Sequence, residues 1–339
     1  MSETPRPGTV YWIDHFVVGS DDLDRWVDFE QKVIGTRSWA NAGPDRGPRF
    51  LAFQAITSCC HNGAMKSPEP LPLSLGLGKG LPRHGLYVRQ QDVDQHVKRL
   101  DEHGVPHLDP VRTSADGDDG ISIAFEDPDG NQFEFWAPDR MPEGAMIEAT
   151  PLGVGRISHV VMESQNLQRA ADHFATYCGL EAAAGDQTPD TLILRTVGGA
   201  RIIYKHTDAI HQRTGGWGKL HAAHCALVLE DEEFWPAYDR MWAGVTEWEF
   251  DRTTEQFVGA GPELPARTSR HGSPAGRKFY DVKGRGDDWY DWDTNGFHFM
   301  SGAPKSRSFI QYEPRTMEWH LPEYLAQQGT LEQPAAGRA

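Results

Sequence analysis

The sequence predicts an α+β fold built from one strand–helix–three-strand unit used four times, arranged as two tandem modules of two units each. Three observations carry that expectation. A histidine-bearing apolar strand recurs four times, an amphipathic helix closed by glycine follows each copy, and two copies end in matching turns rich in Asp, Asn and Gly. Repetition on this scale is weighed before any single motif, because it sets the architecture into which the motifs must fit.

The first unit opens with the apolar run 12–18, passes Asp22, and enters a helix around Trp26 to Ile34 that stops at Gly35. The second opens at 84–88, passes Asp92, and carries a helix to His103, closed by Gly104. The third opens at 157–162, passes Asn166, and its helix runs to Cys178, closed by Gly179. The fourth opens at 224–229, passes Asp231, and its helix runs to Ala243, closed by Gly244. β-branched and apolar runs favour buried strands. Asp or Asn ahead of a helix can accept its free N–H groups, and glycine after it supplies a left-handed residue. Shorter strand-like runs such as 49–54 and 191–195 follow the helices.

Each first strand carries a histidine in it or at its start: His15, His84, His159 and His224. Taken singly, such a residue reads as packed core. Four at equivalent repeat positions read as ligands. The likeness of the units groups them as 8–140 and 152–320, with a linker at 138–155 holding several Pro and Gly, and a flexible tail at 321–339.

The bulk numbers limit the function. The chain has 339 residues, enough for two cores, with 38% hydrophobic and 24% charged residues. A formal net charge of -16 repels polyphosphate and anionic lipid surfaces, which argues against nucleic acid and membrane partners. No apolar run reaches the length of a membrane span and the first residues lack a signal peptide's pattern. Cys59, Cys60, Cys178 and Cys225 are too few and too irregular for a disulfide framework, so a cytoplasmic location with reduced thiols is expected.

The matching segments are 127–135 and 291–299. Aligned without gaps, Asp127 meets Asp291, Asn131 meets Asn295, and Glu134 meets His298, each of the last two between two Phe. These residues resemble the vicinal-oxygen-chelate superfamily, which includes glyoxalase I, extradiol ring-cleaving dioxygenases and fosfomycin-resistance proteins. The resemblance covers about residues 10–320. It implies paired strand–helix–three-strand units curling around one metal. It further implies ligands from a first-strand His of each unit and a Glu after an Asp-Pro-x-Gly turn. Carried over, the first module offers His15, His84 and Glu134, and the second offers His159, His224 and His298. Imidazole and carboxylate donors on one side of Fe(II), Mn(II), Ni(II), Zn(II) or Co(II) leave open positions for two adjacent substrate oxygens.

The chain is most similar to two-module extradiol dioxygenases. Segment 269–273 (Ser-Arg-His-Gly-Ser) and segment 312–319 resemble that family's stretches around its active module. The resemblance implies catalytic roles for His211 and His271 in moving protons, and for Tyr290 in the pocket. It departs at His298, where the family has Glu, and in keeping all three ligands in the first module. Either module is therefore a candidate. The expected activity is Fe(II)-dependent cleavage of a catechol-like diol with O2, in a homo-oligomer. The alternatives are a non-oxidative isomerase, epimerase or lyase on another divalent metal, with Glu134 or a His as base, or a protein that only binds a small molecule.

Overall fold

The computed structural model describes residues 10–20, 22–41, 49–53, 56–62, 76–146, 149–208, 224–229, 250–251, 256–257 and 296–301. In chain order the elements are β1 (Val10–Ser20), α1 (Leu23–Phe29), β2 (Arg37–Asn41), β3 (Arg49–Phe53), β4 (Ile56–Asn62), β5 (Arg83–Tyr87) and α2 (Val93–Glu102). There follow β6 (Val111–Thr113), β7 (Gly120–Glu126), β8 (Gln132–Pro138), β9 (Ile157–Ser164), α3 (Leu167–Cys178), β10 (Thr191–Arg195) and β11 (Arg201–His206). The last are β12 (His224–Leu229), β13 (Phe250–Asp251), β14 (Gln256–Phe257) and β15 (Gly296–Ser301).

The helix ends follow the expected chemistry with one exception. The Asp22 side chain accepts the N–H groups of Asp24 and Arg25 at the start of α1, and Asn166 accepts that of Arg169 at the start of α3. Asp92 makes no such cap bond, because α2 is entered through a 3-10 turn at Gln90–Asp92. Gly35, Gly104 and Gly179 all take positive φ just past their helices, as a left-handed exit requires. The first helix is α-helical only to Phe29 and continues as a π-helical stretch, Glu30–Ile34.

Two curled sheets form the body. The six-stranded one runs β15-β12-β1-β4-β3-β2 and the seven-stranded one β10-β11-β9-β5-β8-β7-β6. Within each unit the first strand lies parallel to the last: β1 with β4, β5 with β8, β9 with β11, β12 with β15. Parallel neighbours need a crossover, which α1, α2 and α3 supply in the first three units. The first strands then meet antiparallel, β1 against β12 and β5 against β9. The sheets thus join the first unit to the fourth and the second to the third, across the division expected at 140–152.

The sheets pack through one face of each. Phe16 of β1 stacks on His84 of β5 at 4.8 Å and meets Phe133 of β8 edge-on at 5.4 Å. The Trp12 indole N–H donates to the Ile157 carbonyl at 3.0 Å, tying β1 to β9. Trp26, Phe29, Val33 and Ile34 of the first helix are buried in the same core, each contributing about 1.5–3 kcal/mol of hydrophobic burial. The expected linker is packed rather than loose: Val154 is buried and the buried Thr150 hydroxyl donates to the Ile34 carbonyl at 2.7 Å. Asp127 closes its own turn by accepting from the N–H groups of Asp129 and Asn131, and Asn131 donates to the Gly19 carbonyl at 2.9 Å. The Asp/Asn/Gly turn therefore anchors β8 to the end of β1. Among the described residues, no helix is long and apolar enough to cross a membrane.

Candidate functional site

Strand parity decides what faces the concave side of the seven-stranded sheet. β9 pairs His159 with Gly85, and β8 pairs Glu134 with the same Gly85. Side chains alternate along a strand, so paired residues share a face. Glu134 and His159 therefore project together, with Arg83 two residues before Gly85 on that same side. A side chain at 85 would run into the His159 ring, so glycine there lets the imidazole lie across β5.

His84 points the other way. It pairs with Phe133 and Val160 and packs between the sheets on Phe16. Neither of its ring nitrogens has a hydrogen-bond partner among the described residues. Burial, reinforced by nearby His159, drives its pKa down to about 3, so the ring is neutral. His84 and Glu134, expected to act together, are on adjacent strands but opposite faces.

The concave cluster is a buried ionic network. Asp116, Glu134 and His159 are all buried, each offers one ligand atom, and those atoms lie within 4.8 Å of one another. By donor type and spacing they could hold a metal ion. Arg83 donates from Nε to Glu134 at 2.7 Å and from a terminal nitrogen to Asp116 at 3.1 Å. Lys205 lies 2.7 Å from Asp116. Arg201 donates to the Asp116 carbonyl, reaches Asp118 at 3.3 Å, and sits over the Trp136 ring at 5.1 Å.

His159 Nε2 lies 3.4 Å from the Glu134 carboxylate. Its Nδ1 is met by the Ser158 hydroxyl at 2.9 Å and by Arg201 at 3.3 Å. Arg201 can only donate, so Nδ1 is the acceptor and Nε2 carries the proton towards Glu134. Burial and the Arg201 charge lower the His159 pKa against the opposing pull of Glu134. Burial opposes ionisation of Glu134, but the facing His159, Arg83 and Ser122 outweigh it and hold the carboxyl below its usual range. Asp116 is held low in the same way, against burial, by His159, Arg83 and Lys205.

The six-stranded sheet presents a different set. His15 is buried and pairs with Ala226, while Val17 pairs with His224. Ala226 in turn pairs with His298. By parity, positions 15, 224 and 298 share one face, spread over three neighbouring strands. Diagonal neighbours across a strand pair are about 7–8 Å apart, and two strand spacings of about 4.8 Å separate 15 from 298. Histidine nitrogen donors as a class suit Fe(II), Zn(II) or a similar divalent ion.

The register thus groups the six expected ligand positions as 15 with 224 and 298, and Glu134 with His159, leaving His84 in the core. His211, His271 and Tyr290 lie outside the described residues. Asp116, Arg83, Arg201 and Lys205 went unnoticed in the sequence. Asp116 sits in the loop between β6 and β7, outside the matching motifs, and Arg83 was masked by the adjacent His84.

Residues 12–135 match the profile of the Glyoxalase/Bleomycin resistance protein/Dioxygenase superfamily. Among solved structures, a provisionally named dioxygenase from Bacillus subtilis superposes with a TM-score of 0.52 at 17% identity, covering 97% of this chain and 99% of that one. Glyoxalase I from Zea mays gives a TM-score of 0.46 at 15% identity, covering 68% and 77%. The mixed α+β architecture with curled sheets described above fits the vicinal-oxygen-chelate fold.

Proposed function

We propose that the chain is a metal-dependent dioxygenase that opens a catechol-like aromatic diol with O2, with Fe(II) held by His15, His224 and His298. The observation that carries this reading is the register of β1, β12 and β15, which gathers three histidine positions on one face. On this reading the first and fourth units make one module and the second and third the other. The resident metal supplies Lewis acidity and a template for two adjacent oxygens. His15, His224 and His298 would hold the metal as nitrogen donors, and its positive charge would favour an ionising diol. His15 is buried, and a histidine binds a metal ion only through a deprotonated ring nitrogen. The proposal keeps His211 or His271 as the group that moves the diol's protons and Tyr290 as a further catalytic residue.

The isomerase or lyase reading takes Glu134 or a His as the base beside the metal. Glu134, the residue expected for that role, is on the other sheet and engaged by Arg83. That observation favours the oxygen-dependent reaction, as does the dioxygenase designation of the Bacillus subtilis protein with the same fold. The test is elemental analysis of protein purified without oxygen, followed by oxygen uptake with a panel of catechols. Iron at one per chain and catechol-dependent uptake are expected. Activity that is indifferent to oxygen and follows nickel, zinc, cobalt or manganese would sink the proposal.

A further inference from the structure

The two sheets share one register around their central strands. In the six-stranded sheet His15 pairs with Ala226, Val17 with His224, and Ala226 with His298. In the seven-stranded sheet His159 pairs with Gly85, Val161 with Arg83, and Gly85 with Glu134. Laid over one another, 15 falls on 159, 224 on 83 and 298 on 134. The pairing partners coincide as well, Ala226 with Gly85 and Val17 with Val161. Arg83, not His84, is the counterpart of His224.

We propose that the seven-stranded sheet carries a second copy of the metal site, closed to metal because Arg83 stands at a ligand position and supplies the positive charge itself. The inference rests on reading 15, 224 and 298 as ligands. Two features of the cluster support it. Arg83 bridges both carboxylates that a metal would use, Glu134 at 2.7 Å and Asp116 at 3.1 Å. The positive groups Arg83, Arg201 and Lys205 already match Asp116, Asp118 and Glu134, so a divalent ion would add buried charge with nothing to compensate it. His159 has no lone pair to spare either, since Arg201 occupies Nδ1 and the proton on Nε2 faces Glu134.

The closure is reversible by one substitution. Arg83→His would restore a histidine at the position matching 224, beside Glu134 and His159, and would free both carboxylates. Co(II) binding, measured by equilibrium dialysis and by the ligand-field absorption of the bound ion, is the readout. The natural chain is expected to hold one ion, His15→Ala none, Glu134→Gln one, and Arg83→His one more than the natural chain. Loss of the ion in Glu134→Gln, or no gain in a folded Arg83→His, overturns the inference. If Arg83→His does not fold, the count for Glu134→Gln still decides. Retention of the ion in His15→Ala would instead overturn the assignment of the six-stranded site, a separable outcome.

Discussion

The two sheets share one register and carry different residues at the matched positions. On the six-stranded sheet the three matched positions are 15, 224 and 298, all histidine. On the seven-stranded sheet they are 159, 83 and 134: one histidine, one arginine and one glutamate. The first set is the one proposed to take a metal ion from outside. The second set contains its own cation and is complete as folded. The chain shows by this contrast that a ligand pattern is legible only together with the neighbours that share its face.

The comparison is broken most directly by removing a six-stranded donor. His15→Ala or His298→Ala should abolish metal binding and lower oxygen uptake by more than about 100-fold, since even outer-shell partners of a metal ligand are worth 10–100-fold. Near-natural activity in either variant would show that this face is not the reactive one. Phe16→Ala, which empties the contact between the sheets, should cost about 3–5 kcal/mol in urea unfolding. A cost under about 1 kcal/mol would mean the two halves are not coupled through Phe16.

Glu134→Gln sharpens the other side. It leaves the half-buried Arg83 with a single carboxylate and should cost about 3 kcal/mol near neutral pH. Because folding holds the Glu134 carboxyl below its usual pKa, its contribution is present above about pH 4.3 and fades as pH falls below that. Unfolding curves from pH 7 to pH 3 should therefore converge for the natural chain and Glu134→Gln as acid is added; a constant gap would contradict the pairing. Gly85→Ala pushes a methyl group into the His159 ring and should cost about 1–3 kcal/mol without changing metal content. The smallest effect, about 1–2 kcal/mol, is expected for Thr150→Ala, which removes two buried bonds, one to the Ile34 carbonyl and one from the Val154 N–H.

Much of the fold was legible in the chain because its signals are local. Alternating apolar runs, Asp22 and Asn166 as caps, and Gly35, Gly104 and Gly179 as exits each act within a few residues of themselves. The recurrence of a histidine on four first strands was equally visible. Asp116 carried no such signal, because its importance comes from Arg83 and Lys205, 33 and 89 positions away in the chain.

The sequence by itself therefore determined the units, their caps and the histidine-bearing strands. Tertiary structure alone decided which units share a sheet and which histidines share a face. Counting repeats aligns His84 with His224, but pairing with β9 shifts the match by one residue to Arg83. A shift of one residue turns every side chain to the opposite face. Register is set by hydrogen bonds between strands remote in sequence, and no local pattern in either strand records which of its faces the other will meet.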